Sequence, residues 1–155
     1  MADAASDAAA LAARLQKWVE GKATLREVRG YSRDELHAIA KVGYFFYYQG
    51  KVQEARTIFQ GLFAVDPADA YFAKALAVVE MAAGNPQGAL SAYDVALRIA
   101  PQDSAAYVGR AEVKLAQGQK PQAAEDLKKA QQFAKPGEEG IISKVSAMLQ
   151  VISRR

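Results

Sequence analysis

Small or identical residues recur every 34 residues along the middle of this 155-residue chain. Three columns carry the period: Gly50, Gly84 and Gly118; Ala55, Ala89 and Ala123; and Gly43, Ala77 and Ala111. A repeat of this length and make-up predicts a solenoid of helix–turn–helix units, each of which buries its apolar side against its neighbours. Stacked units of this kind form an extended concave surface, so we expect the chain to work by holding another polypeptide.

Each repeat is predicted to be a pair of helices joined by a tight turn. In the first repeat, Gly50 ends the first helix because the turn needs a left-handed backbone conformation. Gly43 and Ala55 are small enough to let the two helices approach closely, and Phe59 fills the space beside them. Pro67 closes the repeat, since proline has no N–H group and cannot continue a helix.

Several large apolar residues of the first helix are predicted to pack against other helices. Ile39, Val42 and Phe46 fall on the side of Gly43, which is expected to pack. Phe45 is also assigned to the core, because it is expected to point toward the partner helix or the neighbouring repeat. These residues are therefore predicted to be structural.

A lead-in and a final helix flank the repeats. The predicted division is a helical extension over 1–35, three repeats over 36–69, 70–103 and 104–137, and a capping helix over 138–155. Within the extension, Thr24 can cap a short helix, and Ser32 with Glu35 forms the capping-box pattern before the first repeat. The final segment is amphipathic and has no following partner, as expected of a helix that covers a solenoid end.

The lead-in begins with an amphipathic helix. Leu11, Leu15, Trp18 and Val19 are spaced to form one apolar stripe, and Gly21 ends the helix. The stripe has no place in the seam between repeats. It either folds back over the first repeat or meets a second copy across a two-fold axis, and a weak homodimer is slightly favoured.

Composition excludes several functions. There are no cysteines and one histidine, His37, so a standard zinc site is not expected, and neither is a catalytic triad. The net charge is +3, but the basic excess lies in the last third as scattered residues, away from most aromatics, so nucleic-acid binding is not expected. No apolar run is long enough to cross a membrane, and the first residues lack the pattern of a secretory signal. We expect a cytoplasmic protein without cofactors.

The repeat columns resemble those of tetratricopeptide-repeat proteins over residues 36–137. The best match is the segment 43–67, GYFFYYQGKVQEARTIFQGLFAVDP, whereas Arg110 and Lys114 of the third repeat stand where the family prefers apolar or aromatic residues. The resemblance implies an all-α fold, a tetratricopeptide-repeat superhelix. The lead-in, three repeats and one final helix are also similar to the class II chaperones of bacterial type III secretion, which look after translocator proteins.

The first helix of each repeat is predicted to show one face to the concave groove. The candidate peptide-binding residues on that face are His37, Ala40, Tyr44, Tyr47, Tyr48, Tyr71, Lys74, Val78, Met81, Val108 and Glu112. Tyrosine offers a large contact area at low entropic cost and keeps a hydroxyl group for the ligand backbone. Methionine adapts to irregular apolar shapes. The groove is therefore predicted to bind an extended apolar segment.

Together these features predict a non-catalytic chaperone that holds an extended segment of a secretion client. The resemblance implies that the client is a translocator and that the bound segment is a short proline-containing motif; related chaperones often dimerise through the lead-in. Two alternatives stay open: a general scaffold that joins two proteins, and a needle-subunit chaperone or a regulator that binds a transcription factor.

Overall fold

The computed structural model describes residues 4–154, and these residues form nine helices and no strand. The helices are α1 (Ala4–Val19), α2 (Leu25–Arg29), α3 (Arg33–Tyr48), α4 (Val52–Val65), α5 (Ala70–Ala82), α6 (Pro86–Ile99), α7 (Ser104–Ala116), α8 (Lys120–Phe133) and α9 (Glu139–Ser153). The predicted all-helical fold is confirmed. The pairs α5–α6 and α7–α8 fall within the second and third predicted repeats, whereas α3 begins at Arg33, ahead of the predicted first repeat.

The chain divides into two compact units, with the boundary between Ala68 and Asp69. In the first unit, α3 packs against α4, while α2 contacts both α1 and α4. In the second unit, the pairs α5–α6 and α7–α8 pack side by side through α6 and α7, and α9 covers α8 and part of α7. The last helix therefore lies against the third repeat, as a capping helix should.

Both of the predicted side-chain caps are present, at α2 and α3. Thr24 and Glu27 form a capping box at α2, and Ser32 and Glu35 form another at α3. In the second box, the Ser32 amide donates to Glu35 Oε2 at 2.8 Å while the Glu35 amide donates to Ser32 Oγ at 3.2 Å. Asn85 caps α6 by accepting from the Gly88 amide. These bonds satisfy backbone donors that a helix N-terminus leaves free.

The turns inside the three repeats use left-handed glycines. Gly50, Gly84 and Gly118 have φ angles of 75°, 77° and 74°. A residue with a β-carbon is strained in this conformation, so the glycine column of the sequence follows directly from the turn geometry.

The core of the first unit is built on the contact between Gly43 and Phe59. A β-carbon added at Gly43 would lie 2.9 Å from two ring carbons of Phe59, so α3 and α4 approach as closely as the small residue allows. Phe59 and Ala55 are fully buried, and Leu36 and Leu62 nearly so. Burying one large apolar side chain of this kind stabilises a fold by about 1.5–3 kcal/mol.

The short helix α2 is tied to the first repeat. Val28 is only 1% exposed. Arg26 Nε lies 2.7 Å from Asp66 Oδ2 at the end of α4, an ion pair whose N–H group is not aligned for a hydrogen bond. The side chain of Asp66 is 4% exposed. Removal of α2 would therefore leave a buried carboxylate without its cation.

The second unit buries more of its helix surface. Within α5, Phe72, Ala73 and Val79 are fully buried. Gly109 of α7 lets the ring of Tyr93 on α6 approach so closely that a β-carbon there would collide with it. Val145 is the fully buried residue of α9. Apolar contact thus holds the helix pairs and the final helix together.

One prediction about α3 is wrong. Phe45 was assigned to the core, yet its side chain is 58% exposed; Ile39 and Val42, expected to pack, are 44% and 48% exposed. Only Phe46 of this group is partly covered. The physical reason is that α3 packs against α4 on the side of Gly43, and these three residues lie outside that contact.

Candidate peptide-binding surface

Three tyrosines form a continuous cluster near the end of α3. The ring centroids of Tyr44 and Tyr48 are 6.3 Å apart in a stacked arrangement, and those of Tyr47 and Tyr48 are 5.4 Å apart edge to face. Tyr48 is 81% exposed, whereas Tyr44 and Tyr47 are half-buried. The three rings, here called the tyrosine cluster, offer an amphipathic surface with part of each ring open to solvent.

Tyr44 also belongs to the core. Its ring lies edge to face against Phe59, with centroids 4.9 Å apart. Phe59 is the residue on which Gly43 packs. Tyr44 therefore holds the tyrosine cluster in place from below, while Tyr47 and Tyr48 have more freedom to contact a ligand.

The other two candidates of the first unit, His37 and Ala40, lie earlier on α3. His37 is half-buried on the same side of α3. Ala40 is fully buried, so the prediction that it lines an open surface is wrong. A methyl group with no exposed area cannot contact a ligand, and Ala40 is a core residue.

In the second unit, the candidate residues are partly exposed apolar side chains and two ion-paired charges. Tyr71, Val78 and Met81 of α5 are each half-buried. Val108 of α7 is only 5% exposed, so its assignment to an open surface is corrected to the core. The spacing rule that selected Ala40 and Val108 identifies a face of a helix but not the helices that cover it.

Both charged candidates are engaged within the chain. Lys74 Nζ lies 2.6 Å from Asp103 Oδ2, and Glu112 Oε1 lies 2.6 Å from Lys144 Nζ of α9. The Lys74 pair is mostly covered, whereas the Glu112 pair is about half exposed. Neither charge is therefore a free recognition group, and the partly open surface of the second unit is mainly apolar.

A buried charge network explains why the third repeat departs from the family pattern. Arg110 donates to both carboxylate oxygens of Asp126 at 2.9 and 2.7 Å, and to Asp94 of α6 at 2.7 Å. Lys114 donates to Asp126 at 2.7 Å. The side chain of Asp126 is only 3% exposed. One arginine therefore links three helices of the second unit.

The sequence contained a signal for this network. Arg110, Lys114 and Asp126 replace Val42, Phe46 and Ile58 at the same positions of the first repeat. Two cations and one carboxylate that replace apolar residues together indicate a charge network between the paired helices. The departure of Arg110 and Lys114 from the family pattern was evident in the sequence, but Asp126 was not recognised as their partner.

The network keeps its charges at neutral pH. Burial raises the pKa of the Asp126 carboxyl group, but hydrogen bonds from Arg110 and Lys114 outweigh burial, and its pKa lies below the usual value. Hydrogen bonding to Asp126 raises the pKa of Arg110 above its ordinary value. The network is therefore a structural feature that joins helices.

The described residues hold no group of acidic, histidine or cysteine side chains suited to a metal ion. In the same part of the chain, no helix combines the length and the apolar character that a bilayer crossing needs.

Comparison with protein families decides the class. Tetratricopeptide-repeat families match residues 43–104 and 80–135. The chain belongs to the tetratricopeptide-repeat proteins. The first match begins at Gly43, the residue that makes the close α3–α4 contact. No curated protein sequence matches the chain closely enough to count as a relative.

Solved structures with the same fold are chaperones and complexes of type III secretion. The translocator chaperone SycD of Yersinia enterocolitica is 25% identical with a TM-score of 0.79, over 83% of this chain and 98% of that one. A type III secretion complex of Aeromonas hydrophila is 26% identical with a TM-score of 0.81, over 89% of this chain and 93% of that one. PcrH of Pseudomonas aeruginosa is 26% identical with a TM-score of 0.74, over 79% of this chain and 94% of that one.

Two of these proteins have been solved with bound segments. SycD was solved with a peptide of the translocator YopD, and PcrH with the chaperone-binding region of PopD. The predicted resemblance to type III secretion chaperones is thus confirmed. The tetratricopeptide-repeat fold is likewise confirmed.

Proposed function

We propose that this protein is a cytoplasmic, non-catalytic chaperone that binds an extended segment of a translocator in a concave groove. The observation that carries the proposal is the tyrosine cluster of α3, because it leaves aromatic surface open on a repeat that otherwise has a well-packed core. The fold shared with SycD and PcrH supports it, since both were solved with translocator segments.

The tyrosine cluster would supply most of the contact. Tyr47 and Tyr48 present ring surface to apolar side chains of the client, and their hydroxyl groups can bond its backbone. Tyr71, Val78 and Met81 of α5, in the second unit, would offer the client further apolar surface, and Met81 can adapt to its shape. Binding masks apolar segments of the client and prevents their aggregation before export.

His37 and the ion-paired residues have a smaller part. His37 lies on the same side of α3 as Tyr44, about two turns before it, and would contact the edge of a ligand. Lys74 and Glu112 already have partners at 2.6 Å, so a ligand would have to compete for them. We expect substitution of these charges to change client affinity less than substitution of a tyrosine.

The test uses the chaperone-binding region of PopD as the probe, measured by isothermal titration calorimetry. Tyr47→Ala and Tyr48→Ala should each weaken binding by about 2 kcal/mol if they are anchors. The matched control is Val42→Ala, an exposed apolar residue about 140° around α3 from Tyr47. An equal loss in all three variants would contradict the proposal, and so would no binding to the intact chain.

We also propose that the protein forms a weak homodimer through Leu11, Leu15, Trp18 and Val19 of α1. These side chains are 41%, 41%, 46% and 80% exposed, so α1 is not folded back over the first repeat in the described chain. SycD, a structural neighbour, has been solved as an alternative dimer.

Sedimentation velocity tests the dimer. The full chain should associate at tens of micromolar, and Leu15→Glu should remain a monomer because it places a charge on the apolar stripe. A point substitution is preferable to removal of residues 1–30, since removal would also delete the buried Val28 and the cation paired with Asp66. A monomeric full chain at these concentrations would rule the dimer out.

A further inference from the structure

The side of α3 away from α4 carries an uncovered apolar surface. Ile39, Val42 and Phe45, here called the outer stripe, are spaced three residues apart and are 44%, 48% and 58% exposed. Nothing in the proposed binding of a client uses these residues. Three large apolar side chains in a row on one helix indicate a packing surface.

Equivalent positions in the later repeats show what kind of partner the outer stripe can pack against. One repeat further along the chain, Ile39 and Phe45 correspond to Ala73 and Val79, which are fully buried. Two repeats along, Val42 corresponds to Arg110 of α7. The same face is thus covered in the later repeats and open in the first.

In the third repeat, that face is covered by the preceding helix. Arg110 donates to Asp94 of α6 at 2.7 Å, and Gly109 beside it receives the ring of Tyr93 from the same helix. The equivalent face of α3 has no preceding repeat. Within the described chain, α2 packs against α4 and leaves the outer stripe exposed.

The chain also contains a helix that lacks a cover for its own apolar stripe. Every described side chain from Ser6 to Lys22 is exposed, and α1 packs against α2. The α1 stripe and the outer stripe are both open in the same unit, so neither covers the other within one copy. Reciprocal exchange between two copies requires two uncovered apolar helix faces on each chain, and this chain has them.

We propose that α1 of each copy packs on the outer stripe of α3 in a second copy, where it takes the place that a preceding repeat helix takes on α7. The inference rests on the proposed homodimer and names its acceptor surface. A two-fold axis makes the contact twice, since each copy supplies one α1 and one outer stripe.

The surface available fits a weak dimer. Seven half-exposed apolar side chains per copy, at about 80 Å² each, would bury roughly 550 Å², because full burial of a large aromatic removes about 150–250 Å². A standard interface buries about 800 Å² per partner. The exchange therefore predicts an interface smaller than the standard one, in keeping with a weak homodimer.

The test is cross-linking between two differently substituted full-length chains. The natural chain has no cysteine, so Leu15→Cys and Val42→Cys each introduce a single thiol. When the two variants are mixed with a short bifunctional maleimide, we expect a covalent heterodimer in several-fold greater yield than from either variant alone. The matched control replaces Val42→Cys by Gln53→Cys, an exposed position on α4.

Several outcomes would overturn the exchange. Equal yields with Gln53→Cys would show random collision, and efficient cross-linking of Leu15→Cys with itself would show that two α1 helices pair. A Leu15→Cys/Val42→Cys double variant that cross-links only within one chain would assign the outer stripe to its own α1. Each result contradicts the proposal even where sedimentation shows a dimer.

A complementation test separates this inference from the functions on which it rests. Leu15→Glu and Val42→Glu should each be monomeric, while their mixture should associate, though more weakly than the natural protein, because only one of the two reciprocal contacts remains intact. The sole tryptophan, Trp18, should shift its emission to the blue in the mixture. Val42→Glu should still bind the PopD region with unchanged affinity, so failure of client binding is a separate result. No association in the mixture would contradict the exchange.

Discussion

The first and third repeats share one plan but use equivalent positions in opposite ways. In the first, Val42, Phe46 and Ile58 are apolar, and Val42 remains about half exposed. In the third, the same positions hold Arg110, Lys114 and Asp126, which bind one another in a covered network. Of these apolar residues, Val42 lies on an open surface, whereas the charges lie where three helices of one chain meet.

This difference has a physical basis. An exposed apolar stripe gains free energy from any apolar partner, so it suits association with another chain. A buried ion network needs each donor and acceptor in place, so it favours one geometry of its helices. The first repeat is thus suited to contacts outside the chain, and the third to fixed contacts within it.

The largest effect is expected when the network loses its carboxylate. Asp126→Ala removes the acceptor of Lys114 and leaves Arg110 with Asp94 alone, and it should lower the free energy of unfolding by about 3–5 kcal/mol. Urea unfolding followed by circular dichroism measures it. The triple variant Arg110→Leu, Lys114→Leu, Asp126→Ala should regain most of the loss. If the triple variant is no more stable than Asp126→Ala, apolar side chains cannot take the place of the network at these positions.

The close contact of the first repeat should give the next largest effect. Gly43→Leu forces side-chain atoms into the ring of Phe59 and should cost about 2–3 kcal/mol through overpacking. The control is Gly61→Ala, a helical glycine of α4 with no atom near its added β-carbon, which should stabilise the protein by about 0.5–1 kcal/mol. Equal loss in both variants would mean that the Gly43 contact is not the cause.

A smaller effect separates the two roles of the tyrosine cluster. Tyr44→Ala should cost about 1–2 kcal/mol of stability, because its ring packs on the buried Phe59. Tyr48→Ala should change stability by less than about 0.5 kcal/mol, since its side chain is mostly exposed. The sequence placed both tyrosines outside the core, so the result for Tyr44 distinguishes that view from the structure. Thermal unfolding of both variants gives the comparison.

The smallest effect is the dependence of stability on pH that the charge network of the third repeat should contribute. The pKa of Asp126 is lowered in the folded protein, so its contribution to stability is complete above the unfolded pKa of about 3.9 and is lost as pH falls through the lower folded value. The stability difference between the natural protein and the triple variant should stay constant from neutral pH to about 5 and change below about 4. If this stability difference changes between pH 5 and 7, a titrating group other than Asp126 is responsible.

The sequence was informative wherever local geometry decides the outcome. The glycine turns, the capping boxes at Thr24 and Ser32, and the close contact at Gly43 all follow from residue type and spacing. It was weaker for the binding surface. Helix periodicity shows which residues share a face, but Ala40 is buried and Phe45 is exposed because of which helices pack where.

The sequence by itself determined the repeat period, the helix ends and the family. These features depend on backbone conformation and hydrogen bonding, which act over a few residues and recur at each repeat. What only the tertiary structure decided is which equivalent positions are covered. Val42 and Arg110 occupy the same column, but α6 lies against Arg110, while no helix of the described chain buries Val42. Burial depends on neighbours distant in sequence, and a pattern within one helix does not contain them.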